Sequence, residues 1–244
     1  MAPSDRCFTP FQLVEQMWQH LQAPIDDHLL EDLRTRIESL RPKFDGPYGH
    51  NVCTQEELQE LGEAFSEFFF GCMALRLIKF GWDDRLLEDD GSLGLTDGDE
   101  SEDRWRIRIH PYPEDGGDRE RFNFRADSLL STILHECVHG LFRLLACDSQ
   151  CQRPECKLAY VDQLGTLGHG DAFLILATLI ERHASKLGLW SVDLNLKWHA
   201  QHHIDDEEVW TLRKGTVQIC WPFETIGYKY YSNQNVELTW NWHG

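Results

Sequence analysis

Basic residues are scarce in this 244-residue chain: 23 Lys plus Arg stand against 41 Asp plus Glu, a formal net charge of -18. A surplus of that size repels phosphate at long range and favours cationic partners, which weighs against nucleic acid as a default ligand. No apolar run approaches the length needed to cross a bilayer, so no membrane partner is expected. The opening Met1-Ala2-Pro3-Ser4-Asp5-Arg6 has no apolar stretch behind a basic cluster and predicts no cleaved secretory leader. The expected location is therefore intracellular, nucleus or cytoplasm. Paired Cys-x-x-Cys motifs are also missing, and without a leader the eight cysteines are expected to be thiols and not a disulfide framework. Hydrophobic residues are not scarce, at 41%, which suffices for one good core with a smaller helical addition.

What the chain does contain is a stretch that names a chemistry, His135-Glu136-Cys137-Val138-His139. On a helix, histidines four apart lie on one face and can share a zinc ion, with the carboxylate of Glu136 beside the open coordination position. A water held there has its pKa lowered and can be deprotonated for attack on a peptide carbonyl. Twelve histidines make a chance match possible, but the context is helical. Leu129, Leu130, Ile133, Leu134, Val138, Leu141, Phe142 and Leu145 recur with helical spacing, predicting a helix over Ser128 to Ala146 with Asp127 as N-cap. Two histidines and a water leave one ligand missing. The next candidate is His169, between Gly168 and Gly170, where the backbone can bend sharply before a second predicted helix starts at about Asp171. Glu181 on that second helix is the alternative third ligand.

Taken together, His-Glu-x-x-His on a helix followed by His-Gly-x-x-aromatic at the opening of the next (His169, Gly170, Phe173) resembles the SprT-like (Spartan-type) zinc metallopeptidase family. The resemblance covers residues 65 to 190. It implies an α+β, zincin-like core in which a small antiparallel sheet packs on the His-Glu-x-x-His helix. It also implies His135, His139 and His169 as ligands of Zn2+, Glu136 as the catalytic base, and a protein or peptide substrate. The expected activity is that of a zinc-dependent metalloendopeptidase, hydrolysing peptide bonds by Glu-activated zinc-bound water. Two other outcomes stay open. One is a DNA-associated repair protease acting on DNA-protein crosslinks, which the resemblance suggests and the net charge opposes. The other is a catalytically silent, zinc-stabilised protein-binding module.

The remaining segments are expected to frame that core. Residues 1–50 read as an N-terminal helical extension, 51–200 as the peptidase core and 201–244 as a β-rich segment packed on it. Thr9-Pro10-Phe11-Gln12 combines an N-cap, a proline at the first helical position and a capping-box glutamine. A second helix, marked by Leu29, Leu33, Ile37 and Leu40, is expected to end before Pro42. A third starts at Thr54, with Glu57 three residues on, and runs towards Phe80. Gly46 to Gly49 is the expected boundary. Strands are expected at Gly91 to Leu95 and Trp105 to Ile109, joined through the acidic run Glu88 to Asp103 as a solvated loop.

In Arg104 to His110 the alternation is strict, with Trp105, Ile107 and Ile109 facing the core and the arginines outward. This strand is the candidate edge strand for aligning substrate by backbone pairing. The plainer reading has its arginine face neutralised by the acidic loop. Tyr160, His110 and these arginines are unranked candidates for stabilising an oxyanion. Cys147, Cys151 and Cys156 lie between the two histidine motifs, with Arg153-Pro154 at an expected turn. They are candidates for a second, structural zinc, against ordinary loop thiols. His199, His202 and His203, among Asp205 to Glu208, read as polar surface, and the Trp- and Tyr-rich stretch from Val209 to Trp242 as a small sheet.

Overall fold

The computed structural model describes residues 8–44, 53–71, 78–99, 104–111, 125–147, 154–165 and 168–194, together with the backbone of three strands between 217 and 242. Gly46 to Gly49, Cys151 and His199 to Glu208 lie outside the described residues. The chain is α+β, with seven helices and a three-stranded mixed sheet among the described residues, followed by a second small ladder.

Capping sets the first helices. In α1 (Pro10–Gln22) Thr9 Oγ1 accepts from Gln12 N at 3.3 Å while Gln12 Oε1 accepts from Thr9 N at 2.8 Å, so the expected capping box is present. In α2 (Asp27–Phe44) the helix does not stop before Pro42 but passes through it. The proline sits in the last turn, where its missing N–H removes one terminal bond. Against that loss stand burial of Leu33, Ile37 and Leu40 and the ion pairs Arg41–Asp127 and Lys43–Glu57. Helix α3 (Gln55–Phe70) starts at the Thr54–Glu57 capping box but ends at Gly71, whose φ of 62° closes it. The expected continuation to Phe80 is replaced by strand β1 (Ile78–Trp82), in which buried Ile78 and Phe80 alternate with exposed Lys79. In so short an apolar run the helical and strand periods cannot be told apart.

The expected solvated acidic loop is also structured. It contains the end of the short helix α4 (Leu86–Asp90) and the whole of β2 (Gly94–Asp99), which pairs antiparallel with β3 (Arg104–Ile109) in the register Gly94↔Ile109 to Asp99↔Arg104. Because β1 runs parallel to β3, the sheet order is β1-β3-β2 and the sheet is mixed, not antiparallel. Strand β3 is therefore central and cannot be the edge strand. Its arginine face is neutralised, as the plainer reading has it. Arg106 Nε pairs with Asp97 Oδ1 at 2.6 Å, and Arg108 bridges Asp83 and Asp97 at 2.7 and 2.8 Å. A hydrogen bond from Arg108 holds the Asp83 carboxyl below the usual carboxylate range. Cross-strand charge pairing is what lets an acidic segment be a strand.

The two edges of the sheet differ. Along β1, α3 side chains occupy the backbone groups: Gln59 bonds Ile78 O at 3.2 Å and Phe80 N at 2.9 Å, and Gln55 takes Phe80 O and Trp82 N. Among the described residues the other edge is β2. Across the sheet lies α5 (Arg125–Leu145), which packs on β2 and β3. It starts earlier than the spacing predicts, so Asp127 lies in its first turn, paired with Arg41 at 2.8 Å, and is not the N-cap. Helix α6 (Pro154–Leu164) begins at the proline expected to mark a turn, a favoured residue for a first helical position. Helix α7 (Asp171–Lys186) follows as predicted.

One buried cluster joins Leu13 and Met17 of α1, Ile37 of α2, Phe65 and Phe69 of α3, Ile107 of β3, Leu134 and Leu141 of α5 and Leu176 and Ile180 of α7. Each such side chain contributes about 1.5–3 kcal/mol of transfer free energy. Strands β4 (Val217–Trp221), β5 (Glu224–Tyr231) and β6 (Asn235–Trp242) form an antiparallel meander, in line with the composition of the tail. Among the described residues no helix is long and apolar enough to cross a membrane.

Candidate metal centre

His135 and His139 stand one turn apart on α5, and the loop before α7 brings His169 to them. Gly168 makes that approach possible. Its φ is 78°, and a Cβ there would lie 3.4 Å from His139 Nδ1. The three Nε2 atoms converge, at 3.2 Å between His135 and His139, 2.9 Å between His139 and His169 and 3.2 Å between His135 and His169. A tetrahedral zinc with Zn–N near 2.0–2.1 Å separates its ligand nitrogens by roughly 3.4 Å. The observed spacing is close to that, and these three are the group of metal-ligating type found among the described residues.

The surroundings of His135 favour its neutral ligand form. The Leu194 carbonyl lies 3.2 Å from His135 Nδ1, so the ring donates there and keeps its Nε2 lone pair towards the centre. Burial pushes the His135 pKa down to about 4. Phe173, fully buried one turn into α7, touches all three rings, with centroids 4.9 Å from His135, 4.8 Å from His169 and 4.5 Å from His139, on which it stacks. It forms the wall that keeps the three imidazoles together.

Glu136, next to His135 on α5, is buried and faces β2. Thr96 Oγ1 donates to Glu136 Oε2 at 2.7 Å, and the same hydroxyl lies 3.1 Å from the Glu136 carbonyl. Gly94, two residues earlier on the same face of β2, leaves room for the side chain: a Cβ there would lie 2.7 Å from Glu136 Cγ and 2.8 Å from Oε1. Burial pushes the Glu136 pKa up to about 7, against the opposing effect of the Thr96 hydrogen bond.

The other candidates are placed elsewhere. Glu181 does not belong to the group formed by the three imidazoles; its Oε1 accepts from Leu194 N at 2.7 Å, and burial pushes its pKa up to about 7. Arg106 and Arg108 lie on the sheet face away from α5, and His110 Nε2 meets the Asp84 carbonyl at 3.1 Å. Tyr160 packs against the core from α6. Cys147 and Cys156 are buried, and neither belongs to a metal-ligating group among the described residues.

Thr96, Gly94 and Leu194 were not legible as site residues. One trace of the first two exists in the sequence: Gly94-x-Thr96-x-Gly98 puts small residues at alternate strand positions, where a helix can come close. No local signal marks Leu194. No family model, curated protein or solved structure matches the chain, so the resemblance rests on the two histidine motifs alone.

Proposed function

We propose that the chain is a zinc-dependent metalloendopeptidase with a zincin-like core of the SprT-like type, in which His135, His139 and His169 hold the ion and Glu136 is the general base. The observation that carries this reading is the convergence of three imidazole Nε2 atoms, with a buried carboxyl, Glu136, next in the chain to one of them. The donor set suits zinc: three imidazole nitrogens near tetrahedral spacing, the type and number of ligands that catalytic zinc sites use.

When bound, zinc supplies the Lewis acidity that eases deprotonation of water and polarises the scissile carbonyl. Glu136 takes the proton from water and later delivers it to the leaving amine. Burial raises the proton affinity of this carboxyl, which suits it to accept the proton. Thr96 fixes the carboxyl from β2 and so limits the positions from which it can act. Strand β2 takes the substrate-aligning role first given to β3. It is the sheet edge beside Glu136, whereas the β1 edge is filled by glutamine side chains. An extended peptide adding to β2 would bring its scissile bond to the base.

The test begins with zinc per chain by elemental analysis of wild type and His169→Ala, followed by turnover of an unfolded protein by wild type and Glu136→Gln. The expected outcome is one zinc in the wild type, much weaker retention in His169→Ala, and proteolysis lost in Glu136→Gln with zinc kept. Zinc without turnover on any unfolded substrate would leave the silent, zinc-stabilised binding module instead. Turnover that depends on single-stranded DNA would assign the activity to DNA-protein crosslinks. A folded wild type without affinity for zinc overturns the whole reading.

A further inference from the structure

Residues 190–194 return from α7 along α5 as a strap fastened on two helices. Trp190 Nε1 and Asp193 N both donate to Ser131 Oγ, at 3.4 and 3.2 Å, and the Trp190 ring stacks on Phe65 with centroids 5.5 Å apart. Leu194 N donates to Glu181 Oε1 at 2.7 Å. Leu194 itself is buried, and its carbonyl accepts from His135 Nδ1 at 3.2 Å. Ser131 and His135 are four apart on α5, so the strap lies over the helix face that carries the metal-facing imidazole.

We propose that Glu181 and Ser131 are positioning residues of the metal centre: by pinning the 190–194 strap from two helices, they hold the Leu194 carbonyl on His135 Nδ1 and thereby set the affinity for zinc. The proposal rests on the reading that His135, His139 and His169 hold zinc. Its physical basis is geometric. A carbonyl on Nδ1 selects the tautomer with a lone pair on Nε2 and fixes the tilt of the ring, but only if that carbonyl is itself held still. Leu194 lies past the end of α7, and the bonds from Glu181 to its N–H and from Ser131 to the neighbouring Asp193 N–H restrain it. Desolvating the half-buried Glu181 carboxyl is costly, and its bond to the strap offsets that cost. Helix α7 thus serves the centre twice, with His169 just before its start and Glu181 near its end holding the support of His135.

The experiment is zinc affinity by competition with a chromophoric chelator on wild type, Glu181→Leu, Glu181→Gln and Ser131→Ala. It is paired with nitrogen chemical shifts of the His135 ring, which report which nitrogen carries the proton. Glu181→Leu and Ser131→Ala are expected to weaken zinc binding by about 10–100-fold and to shift the ring signals. Glu181→Gln, whose carboxamide oxygen still accepts from Leu194 N, is expected to stay within about threefold of wild type, a margin small against that loss. Ser131→Ala removes one oxygen and keeps a good helix former, so it carries the test if Glu181→Leu does not fold. Unchanged zinc affinity in the folded variants, or a Glu181→Gln as weak as Glu181→Leu, overturns the proposal. A wild type with no affinity for zinc overturns instead the reading on which it rests.

Discussion

At the scale of single residues, Glu136 and His135 are neighbours buried by the same packing but shifted in opposite senses. Burial raises the Glu136 pKa to about 7 and lowers that of His135 to about 4. In the metal-free protein the buried His135 contributes stability that is fully present above its unfolded pKa of about 6.5 and is lost as pH falls towards 4. The buried Glu136 acts the other way. It costs nothing while protonated below about 4.5, and it costs progressively more as pH rises to 7. Glu136→Gln removes only the second effect. The metal-free variant is therefore expected to gain stability over wild type between about pH 4.5 and 7, by roughly 3 kcal/mol in all, as read by denaturant titration at each pH. A difference that stays flat across that window would show that Glu136 is not buried as described. Thr96→Val deletes the hydrogen bond that opposes the rise in the Glu136 pKa. The acidic limb of the kcat/KM profile is expected to move upward by about 1–2 pH units, since a hydrogen bond to a charged group is worth about 1.5–3 kcal/mol.

Elements meet at this centre because small residues allow close approach. Strand β2 comes against α5 at Gly94 and Thr96, and the loop into α7 crosses His139 at Gly168. Gly94→Ala would set a methyl into the Glu136 side chain and Thr132, and overpacking of that kind costs about 1–3 kcal/mol. The variant is expected to unfold at correspondingly lower denaturant and to lose turnover more than zinc, because the displaced group is the proposed base and not one of the three imidazoles. Equal stability to wild type would mean that β2 and α5 separate at no cost. The same element contacts explain what could be read in advance. Helices α1, α3 and α7 carry local instructions, namely Thr9 with Gln12, Thr54 with Glu57, and glycines before Asp171, and these follow from neighbours in the chain. Strands β1 and β2 carry weak ones: five residues of mixed pattern, and an acidic segment that is a strand only because Arg106 and Arg108 lie across from it.

For the whole molecule, helices α1, α2 and α3 share one buried cluster with α5, which carries His135 and His139, and with α7, which follows His169. Ligand binding there is linked to global unfolding. Zinc at a hundredfold excess over its Kd is expected to stabilise the fold by about 2.7 kcal/mol and to raise the melting temperature by roughly 5–10 °C, an effect that His169→Ala should abolish. The formal charge of -18 acts over the same scale. Lysine-rich peptides are expected to be cleaved with higher kcat/KM than glutamate-rich ones at low salt, the difference closing at about 0.5 M salt as screening shortens the range of the field.

Local sequence was enough for the helix that carries His135 and His139, for the helix start beside His169, for two capping boxes and for the α+β character. Each depends on residues within a turn or two of one another, where hydrogen bonding and side-chain period act directly. Tertiary structure alone decided that Ile78–Trp82 is a strand parallel to β3, that Arg104–Ile109 is central, and that Thr96 meets Glu136, the Leu194 carbonyl meets His135 and Glu181 meets Leu194. Those outcomes depend on groups tens of residues apart. Whether a carboxyl finds an arginine, a hydroxyl a buried glutamate or a carbonyl an imidazole is settled only when the elements pack, and a buried polar group must then find its partner there.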